Sequence, residues 1–374
     1  MPGSAALDTQ KRAPIAWFGP HLSGRELELV RSVLEREYVN DGPLTREFER
    51  KVAAFVGTRH AVAITSGTAG IALALMAAGI APGDEVLVPD LTFIATANAV
   101  RLAGAGVKLV DVEPVRFGID PDAVLAAIGP RTRALLTVDV NGRGADYTRL
   151  EAICREHGLA LICDSAEGLG SRFAGRMLGA FGQAGCFSFS ANKTITAGQG
   201  GMIVTDSDAL HDRLRELKDQ GRRKGGTGGD DMHPVLGFNF KFTDLQAAVA
   251  LAQFEEIEQR LARALRRDQA YRERLSNQPG IRLAPTSEAG EVRQWTDVLI
   301  EDRAKIVAAL EAEQIASRNF WFPLHRQEPY RAADASFANS ISISERGLWL
   351  PSRLDMSEAD IDRVCEVVIS ALRR

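Results

Sequence analysis

A lysine at position 193 stands between an apolar stretch and a cluster of glycines. The segment reads FSFSANKTITAGQGG over residues 187–201, and Ser188 precedes the lysine within it. Most lysines are solvated surface groups. A lysine held at a strand end can lose its proton more readily than a solvated one, and its amine can then form a Schiff base with an aldehyde. Lys193 is therefore the first candidate for chemistry.

The Ser66-Gly67-Thr68 sequence is a second candidate, because it follows one apolar run and opens a helical pattern. Backbone N–H groups in the first turn of a helix lack intrahelical acceptors and carry partial positive charge. Such a turn can bind a phosphate. An ordinary helix cap has the same sequence, and for this motif taken alone that alternative stays open.

Asp164 ends another apolar run, ALICD over 160–164. A carboxylate there can hold a protonated ring nitrogen, bind a metal or cap the next segment. No His/Cys/Asp cluster with zinc spacing accompanies Asp164, which disfavours a metal site. The nearby Gly168-Leu169-Gly170 does not complete a dinucleotide fingerprint, because the third glycine position is Phe173.

These three signals are complementary. A phosphate site, a carboxylate for a pyridinium nitrogen and a lysine for an aldehyde are the groups that pyridoxal phosphate requires. Chemistry in open α/β sheets sits at the carboxyl ends of the strands, and all three groups follow strand-like runs. The sequence therefore predicts a pyridoxal-phosphate enzyme.

The elements that must position these residues alternate between strands and helices, which predicts an α/β fold with a mostly parallel sheet. The strand candidates are mostly continuous apolar runs, typical of strands covered on both faces. They are 61–65, 85–89, 107–111, 134–139, 160–164, 185–189 and 201–205. Residues 68–78 are predicted to form a helix that ends at Gly79.

A second, smaller lobe is expected because 374 residues is long for one core. A long helical pattern begins near Thr243 and runs towards Leu275, and we expect it to bridge the two lobes. The predicted division is a large cofactor-binding domain over 1–255, with an N-terminal helical segment, and a small C-terminal α/β domain over 256–374. The last helix is predicted over 358–372 with Ser357 as its cap.

Composition argues against several classes of partner. The formal net charge is −4 and the pI is near 6.0, so nothing favours nucleic acid or an acidic membrane surface. No apolar run reaches ~18–20 residues, which disfavours a membrane span. The four cysteines have apolar neighbours and no CxxC spacing, which is typical of reduced thiols in a cytoplasmic protein.

Several stretches together resemble the DegT/DnrJ/StrS family of pyridoxal-phosphate-dependent sugar aminotransferases. They are SGTAGIALAL at 66–75, GDEVLVPDLTFIATANAV at 83–100, CDSAEGLGS at 163–171, FSFSANKTITAGQGG at 187–201 and GFNFKFTDLQAAVALAQ at 237–253. The resemblance runs from about residue 15 to the last helix. It implies the aspartate-aminotransferase-type fold, fold type I, with a seven-stranded, mostly parallel sheet in the large domain.

The resemblance also implies roles for individual residues. Lys193 matches the lysine that forms the internal aldimine and shuttles the proton, and Asp164 matches the carboxylate at the pyridine nitrogen. The other cofactor contacts it implies are Thr68, Ala69 and Ser188 at the phosphate with Gly67 beside them, Phe93 stacked on the ring, Glu167 near the ring hydroxyl, and Asn239 donated by the neighbouring subunit. Asn239 implies a homodimer with shared active sites.

The implied reaction moves an amino group from L-glutamate or L-glutamine to a keto sugar, most commonly a nucleotide-linked 4-keto-6-deoxyhexose. A 3-keto sugar, a keto-cyclitol or a small keto acid is the alternative acceptor. A non-enzymatic regulator that senses the cofactor is disfavoured, because the sequence has no helix-turn-helix appendage. Lys193 argues against the branch of the family that carries histidine there and dehydrates sugars.

The substrate side of the site is less defined. The basic run Arg222-Arg223-Lys224 can meet the two phosphates of a nucleotide sugar, or it can be a solvated loop. His325 matches a substrate-side loop of the family, although a structural role is equally consistent with the sequence. Trp295 and Trp321 are expected in the core or an interface rather than as sugar platforms.

Two segments depart from the family pattern. The first is Gly198-Gln199-Gly200-Gly201, where the family often has G-E-G-G. The second is Asp139-Val140-Asn141-Gly142, where many members have His-x-Tyr-Gly. Both departures are expected near the substrate face, and both leave the cofactor residues intact.

Overall fold

The computed structural model describes residues 13–223, 232–285 and 290–374. Its helices are α1 (Arg25–Glu35), α2 (Pro43–Val56), α3 (Gly67–Ala77), α4 (Ala95–Leu102), α5 (Pro121–Ala127), α6 (Tyr147–His157), α7 (Asp208–Lys218), α8 (Asp244–Phe254), α9 (Ile257–Leu275), α10 (Arg303–Ala312), α11 (Ala338–Arg346) and α12 (Glu358–Arg373). Its strands are β1 (His60–Ile64), β2 (Glu85–Pro89), β3 (Gly106–Val110), β4 (Thr132–Val138), β5 (Ala160–Asp164), β6 (Arg172–Phe173), β7 (Arg176–Met177), β8 (Ala184–Ser188), β9 (Gly201–Thr205), β10 (Ile281–Leu283), β11 (Asp297–Ile300), β12 (Arg318–Asn319) and β13 (Gly347–Trp349).

The main sheet has seven strands in the order β1-β9-β8-β5-β4-β2-β3. Strand β9 runs antiparallel to both of its neighbours, and the other neighbouring pairs are parallel. Every predicted strand forms within two residues of its expected bounds, and the α/β prediction with a mostly parallel sheet is confirmed. The buried apolar runs of β1, β5 and β9 have helices packed against them, as continuous rather than alternating runs require.

This topology brings the carboxyl ends of the parallel strands to one edge of the sheet. Strand β5 ends at Asp164, β8 ends at Ser188, and β1 is followed by Ser66 at the start of α3. The pairing of Asp164 with Cys186 aligns the ends of β5 and β8 closely. Residues that are far apart in the sequence therefore meet at this edge.

A second sheet of four strands, in the order β10-β11-β13-β12, is antiparallel at every pairing. Helices α9, α10 and α12 pack against one another and against this sheet, in a core that includes Tyr271, Leu310 and Val364. Helix α12 has Ser357 as its N-cap, with a capping box completed by Asp360, and this confirms the predicted start of the last helix.

The helical pattern that begins near Thr243 forms two helices rather than one. Thr243 caps α8 with Gln246 in a capping box. The chain leaves the helical conformation at Glu256, where φ is −102° and ψ is 14°, so α9 begins in a new direction at Ile257. The single continuous helix was a wrong prediction. The proposed domain boundary at 255/256 falls at this break.

The structure also bears on the cysteines and on the possibility of a membrane-spanning helix. Cys154, Cys163, Cys186 and Cys365 are all free and buried. Among the described residues, no helix combines the length and the apolarity needed to cross a bilayer.

Candidate active site

A cavity of about 330 Å³ lies at the carboxyl ends of the parallel strands. It opens beside the first turn of α3 and reaches the segment that precedes β11. Seven of the predicted site residues line it: Gly67, Thr68, Phe93, Asp164, Glu167, Ser188 and Lys193. The topology therefore brings together groups that come from four separate parts of the chain.

Lys193 lies in the wall of this cavity with its side chain only 11% exposed. Its backbone N–H donates to the carbonyl of Ser190, which holds the turn after β8. Its Nζ atom lies 3.2 Å from Oε1 of Glu167 and 5.3 Å from the ring centroid of Trp295. The amine is therefore held inside the cavity rather than in bulk water.

Asp164 is buried at the end of β5, and each of its carboxylate oxygens has one donor. The hydroxyl of Thr96 donates to Oδ2 at 2.7 Å, and the backbone N–H of Ala166 donates to Oδ1 at 3.2 Å. Burial raises the pKa of Asp164 to about 6, although both hydrogen bonds and the nearby Lys193 oppose this shift. A cation placed against this carboxylate would restore its ionised form.

The first turn of α3 also lines the cavity, through Gly67 and Thr68. Ser66 is the N-cap and accepts the N–H of Ala69 at 3.2 Å. Ala69, predicted to contact the phosphate, does not line the cavity, and its N–H already has this partner. A Cβ atom at Gly67 would lie 3.1 Å from Cβ of Ser188. A Cβ atom at Gly201 would lie 2.6 Å from the carbonyl carbon of Ser66. The two glycines allow β8 and β9 to approach this turn closely.

Glu167 is held by Asn141, which the sequence identified only as part of a departure from the family pattern. The backbone N–H of Asn141 donates to Oε2 of Glu167 at 2.9 Å. Asn141 is fully buried, and its side chain exchanges two hydrogen bonds with the backbone of Trp295, at 2.6 and 2.7 Å. Glu167 and Trp295, the two groups that contact Lys193, are therefore positioned by the same asparagine.

The second departure from the family pattern lies deeper than expected. Asp139 and Asn141 are buried and do not line the cavity themselves, although Asn141 contacts Glu167 in its wall. Tyr147 and Ser165 each donate a hydrogen bond of 2.6 Å to the carboxylate of Asp139. Burial and the neighbouring Asp164 raise the pKa of Asp139 to about 7. Gln199, from the other departure, does line the cavity.

The aromatic residues divide between two roles. Phe93 lines the cavity and is 52% exposed, which leaves a ring face free for stacking. Trp295 and Trp321 are buried in one aromatic cluster with Trp349, as expected, and they also form part of the cavity wall. Each of these two side chains therefore belongs to both the hydrophobic core and the cavity wall.

Asn239 and the two described arginines of the basic run also lie outside this cavity. Asn239 is exposed and forms an isolated bridge to Asp219. Arg222 lies 3.9 Å from the carboxylate of Asp219 and lines a different, charged cavity of about 810 Å³. Arg223 lines that second cavity too, whereas Lys224 is outside the described residues.

His325 is fully buried and has partners at both ring nitrogens. Its Nδ1 lies 2.7 Å from Asp90, its Nε2 lies 3.0 Å from Asp334, and its ring stacks on Phe337 with centroids 4.4 Å apart. It does not line the cavity. This environment favours the structural role for His325 over the substrate contact.

Thr96 and Arg318 also line the cavity and carry no motif that would single them out. Thr96 comes from α4 and Arg318 from the two-residue strand β12. Neither element is long enough for a periodic pattern to indicate which side chains face inward.

The cavity fits pyridoxal phosphate. The N–H groups at the start of α3, with Thr68 and Ser188, would hold the phosphate. Asp164 would face the ring nitrogen, and its raised pKa is what burial gives a carboxylate that lacks a cationic partner at close range. Lys193 supplies the amine, and Phe93 supplies a ring face. No group of three or more His, Cys, Asp or Glu side chains in the described part of the chain is arranged to hold a metal ion.

Curated proteins match nearly the whole chain. GDP-perosamine synthase of Caulobacter vibrioides is 36% identical over 357 residues, which cover 92% of this chain and 95% of that protein. The spore coat polysaccharide biosynthesis protein SpsC of Bacillus subtilis is 33% identical over 368 residues, with coverages of 93% and 95%.

Solved structures share the fold. S. venezuelae DesV, in complex with a ketimine intermediate, has a TM-score of 0.92 at 31% identity and covers 96% of this chain and 99% of its own. DesI, in the presence of its TDP-sugar product, has a TM-score of 0.89 at 32% identity, with coverages of 96% and 93%. The DegT/DnrJ/EryC1/StrS aminotransferase family model matches residues 20–369. The chain therefore belongs to this family and is a pyridoxal-phosphate-dependent aminotransferase.

Proposed function

We propose that this enzyme transfers an amino group from L-glutamate or L-glutamine to the carbonyl carbon of a keto sugar, and that a nucleotide-linked 4-keto-6-deoxyhexose is the acceptor. The observation that carries the proposal is the placement of Lys193, Glu167 and Asp164 in one cavity. The α3 turn that can hold a phosphate lies in the same cavity. These are the groups an amino transfer requires, and the described residues of the wall add no metal site.

The assignment of a sugar is supported by the names of similar proteins. The relatives are named for GDP-perosamine and for a spore coat polysaccharide, and the DesI structure for a TDP-sugar product. These names include two different nucleotides. A test of the acceptor must therefore offer both GDP-linked and TDP-linked sugars.

The residues of the cavity would have different roles in the reaction. Pyridoxal phosphate supplies an electron-withdrawing ring that stabilises negative charge on the substrate carbon. The Nζ atom of Lys193 would accept the proton from that carbon and, as the conjugate acid, would later donate a proton to complete the transfer. The carboxylate of Asp164 stabilises a protonated ring nitrogen. Glu167 holds the lysine amine within the cavity at 3.2 Å.

The size of the cavity limits how much of the acceptor it can enclose. A volume of about 330 Å³ is at the small end of ligand pockets. The cofactor and the reacting part of the sugar would fill it. We therefore propose that the nucleotide and its two phosphates lie beyond the mouth, where the exposed face of Phe93 ends the wall.

A homodimer would complete the site. Leu27 and Leu34, one helical heptad apart on α1, are 67% and 55% exposed, and Tyr38 follows them with nearly half of its surface exposed. Isolated exposed apolar residues are ordinary, but a row of them is typical of an interface. Asn239 lies outside its own chain's cavity, which is compatible with donation to a second copy. We propose that two copies share their active sites in this way.

The buried free cysteines support a reducing compartment, so we place the enzyme in the cytoplasm.

The function is tested by incubating the purified enzyme with L-glutamate labelled with heavy nitrogen and a panel of GDP- and TDP-linked keto sugars. The panel includes 4-keto-6-deoxyhexoses, 3-keto sugars, a keto-cyclitol and simple keto acids, and the products are read by mass spectrometry. We expect the label in a nucleotide-linked 4-amino sugar. Labelling of the keto acids alone would contradict the proposal. A parallel series with glutamine labelled at the α-nitrogen identifies the preferred donor.

A further inference from the structure

Arg318 lies in the cavity wall on the side of the small sheet. The structure gives its guanidinium group no hydrogen bond and no ion pair among the residues it describes. Its nearest recorded neighbours are two indole rings, with the guanidinium carbon 5.1 Å from the ring centroid of Trp17 and 5.7 Å from that of Trp349. Arg318 is therefore a cation held in place by aromatic packing, with its N–H donors left for a ligand.

The other charges in the described wall already have assignments. They belong to Asp164, Glu167 and Lys193. Lys193 and Glu167 form an ion pair, and Asp164 faces the position of the ring nitrogen. The phosphate of the cofactor is accounted for by the first turn of α3. Arg318 is thus the cation in this wall that is not needed for the cofactor, and an anionic group on a substrate is its natural partner.

We propose that Arg318 binds the α-carboxylate of the amino donor. This inference rests on the proposed function, because it requires an amino acid as the donor. The α-carboxylate is bonded to the same carbon as the amino group that is transferred. It must therefore enter the cavity together with that amino group. The phosphates of a nucleotide sugar are separated from the reacting carbon by the sugar ring and would remain outside.

The position of Arg318 relative to Lys193 supports this assignment. Nζ of Lys193 lies over the ring of Trp295, whose centroid is 5.3 Å from that of Trp17, and Trp17 is the ring next to Arg318. A planar guanidinium can donate two parallel hydrogen bonds to a carboxylate, and such pairs are among the stronger polar interactions in proteins. A keto sugar carries no carboxylate. Arg318 therefore distinguishes the donor from the acceptor within one cavity.

The test uses the cofactor-loaded enzyme after borohydride reduction, which fixes the cofactor to the enzyme and prevents amino transfer. Binding of L-glutamate, L-glutamine and γ-aminobutyrate is followed by tryptophan fluorescence, since two indoles flank the proposed site. We expect Arg318→Gln to weaken the binding of L-glutamate and of L-glutamine by a similar factor of about 10 to 100. We expect γ-aminobutyrate, which lacks the α-carboxylate, to bind weakly and to be insensitive to the substitution.

Two controls separate this inference from a general loss of structure. Arg331→Gln removes an exposed arginine that pairs with Glu328 and should leave all three affinities unchanged. Arg318→Lys keeps the charge but not the planar fork, so we expect a fall of several-fold for both amino acids. This second variant decides the question if Arg318→Gln does not fold.

Unchanged affinities in Arg318→Gln would overturn the inference. A loss confined to L-glutamate and γ-aminobutyrate would also overturn it, because it would place the γ-carboxylate at Arg318. Failure of the proposed function is distinguishable from both outcomes. In that case the unmodified enzyme would aminate no keto sugar, while the donor titration would still report on Arg318.

Discussion

The Nζ atom of Lys193 lies 3.2 Å from Oε1 of Glu167, inside a cavity that is also lined by the buried side chain of Asp164. This contact holds the amine inside the cavity. Glu167 is fixed in turn by the backbone N–H of Asn141. The geometry of the lysine therefore depends on residues more than 25 positions away in the sequence.

The Asp164→Asn variant should separate stability from function. The pKa of Asp164 is raised from 3.8 to about 6 in the folded, cofactor-free protein, because burial penalises the ionised form. A raised carboxyl pKa contributes stability that is present below the unfolded value and is lost as the pH rises through the folded value. At about pH 8, the neutral asparagine should therefore stabilise the cofactor-free protein, by up to about 3 kcal/mol.

This advantage should shrink as the pH falls from about 6 to about 4, as measured by urea unfolding. With the cofactor bound, the wild type should instead be more stable than Asp164→Asn, because asparagine cannot neutralise a protonated ring nitrogen. We expect cofactor affinity to fall by about 10- to 100-fold. A cofactor affinity equal to that of the wild type would contradict the role assigned to Asp164.

The Gly201→Ala variant tests the turn that is assigned to the phosphate. A Cβ atom at position 201 would lie 2.6 and 2.7 Å from backbone atoms of Ser66 and Gly67, so the first turn of α3 must shift. We expect a loss of cofactor affinity that exceeds the loss of stability. Gly198→Ala is the matched control, since a Cβ atom there meets nothing within 4 Å and the substitution only strains a φ of +76°. Equal effects of the two variants on cofactor binding would refute the assignment.

Replacing Asn141 should loosen the contact between the large sheet and the segment before β11. Asn141→Ala removes both hydrogen bonds to the backbone of Trp295 and places alanine at a φ of +52°. We expect a loss of about 2–4 kcal/mol in the free energy of unfolding. Asn141→Gly also removes the hydrogen bonds, but glycine adopts this backbone conformation without strain. The difference in the free energy of unfolding between the two variants therefore measures the backbone strain. Full stability of Asn141→Ala would show that these bonds contribute nothing.

The His325→Ala variant decides between the two roles considered for this histidine. It removes a buried ring and its hydrogen bond to the carboxylate of Asp90, which should cost about 3–5 kcal/mol. KM for donor and acceptor should change little at saturating cofactor, because the ring does not line the cavity. His157→Ala, at an exposed position, is the control for stability. A stable variant with a raised KM for the acceptor would instead identify a substrate contact.

The large sheet was predictable because each strand is a short, buried and continuous run of apolar residues. Strands β2, β5 and β9 have the bounds predicted for them. Asp164, Ser188 and the α3 turn could be placed at one edge because parallel topology puts every carboxyl end there. The local pattern of apolar residues therefore predicts the strands and their ends without knowledge of any tertiary contact.

The supporting residues could not be predicted in the same way. Thr96 reaches Asp164 across 68 positions, and Asn141 reaches Trp295 across 154. Contacts of this kind form only when elements distant in the sequence pack together, and no local pattern encodes them. The break at Glu256 was missed for a similar reason, since apolar residues continue on one stripe through Phe254, Ile257 and Leu261.

The most direct test of the account is the identity of the residue that becomes bonded to the cofactor. The enzyme is loaded with pyridoxal phosphate, reduced with borohydride and digested, and the modified peptide is sequenced by mass spectrometry. The account predicts the cofactor mass on Lys193, and its loss in Lys193→Ala but not in Lys51→Ala, which alters an exposed lysine on α2. Modification of another lysine, or an adduct that persists in Lys193→Ala, would contradict it.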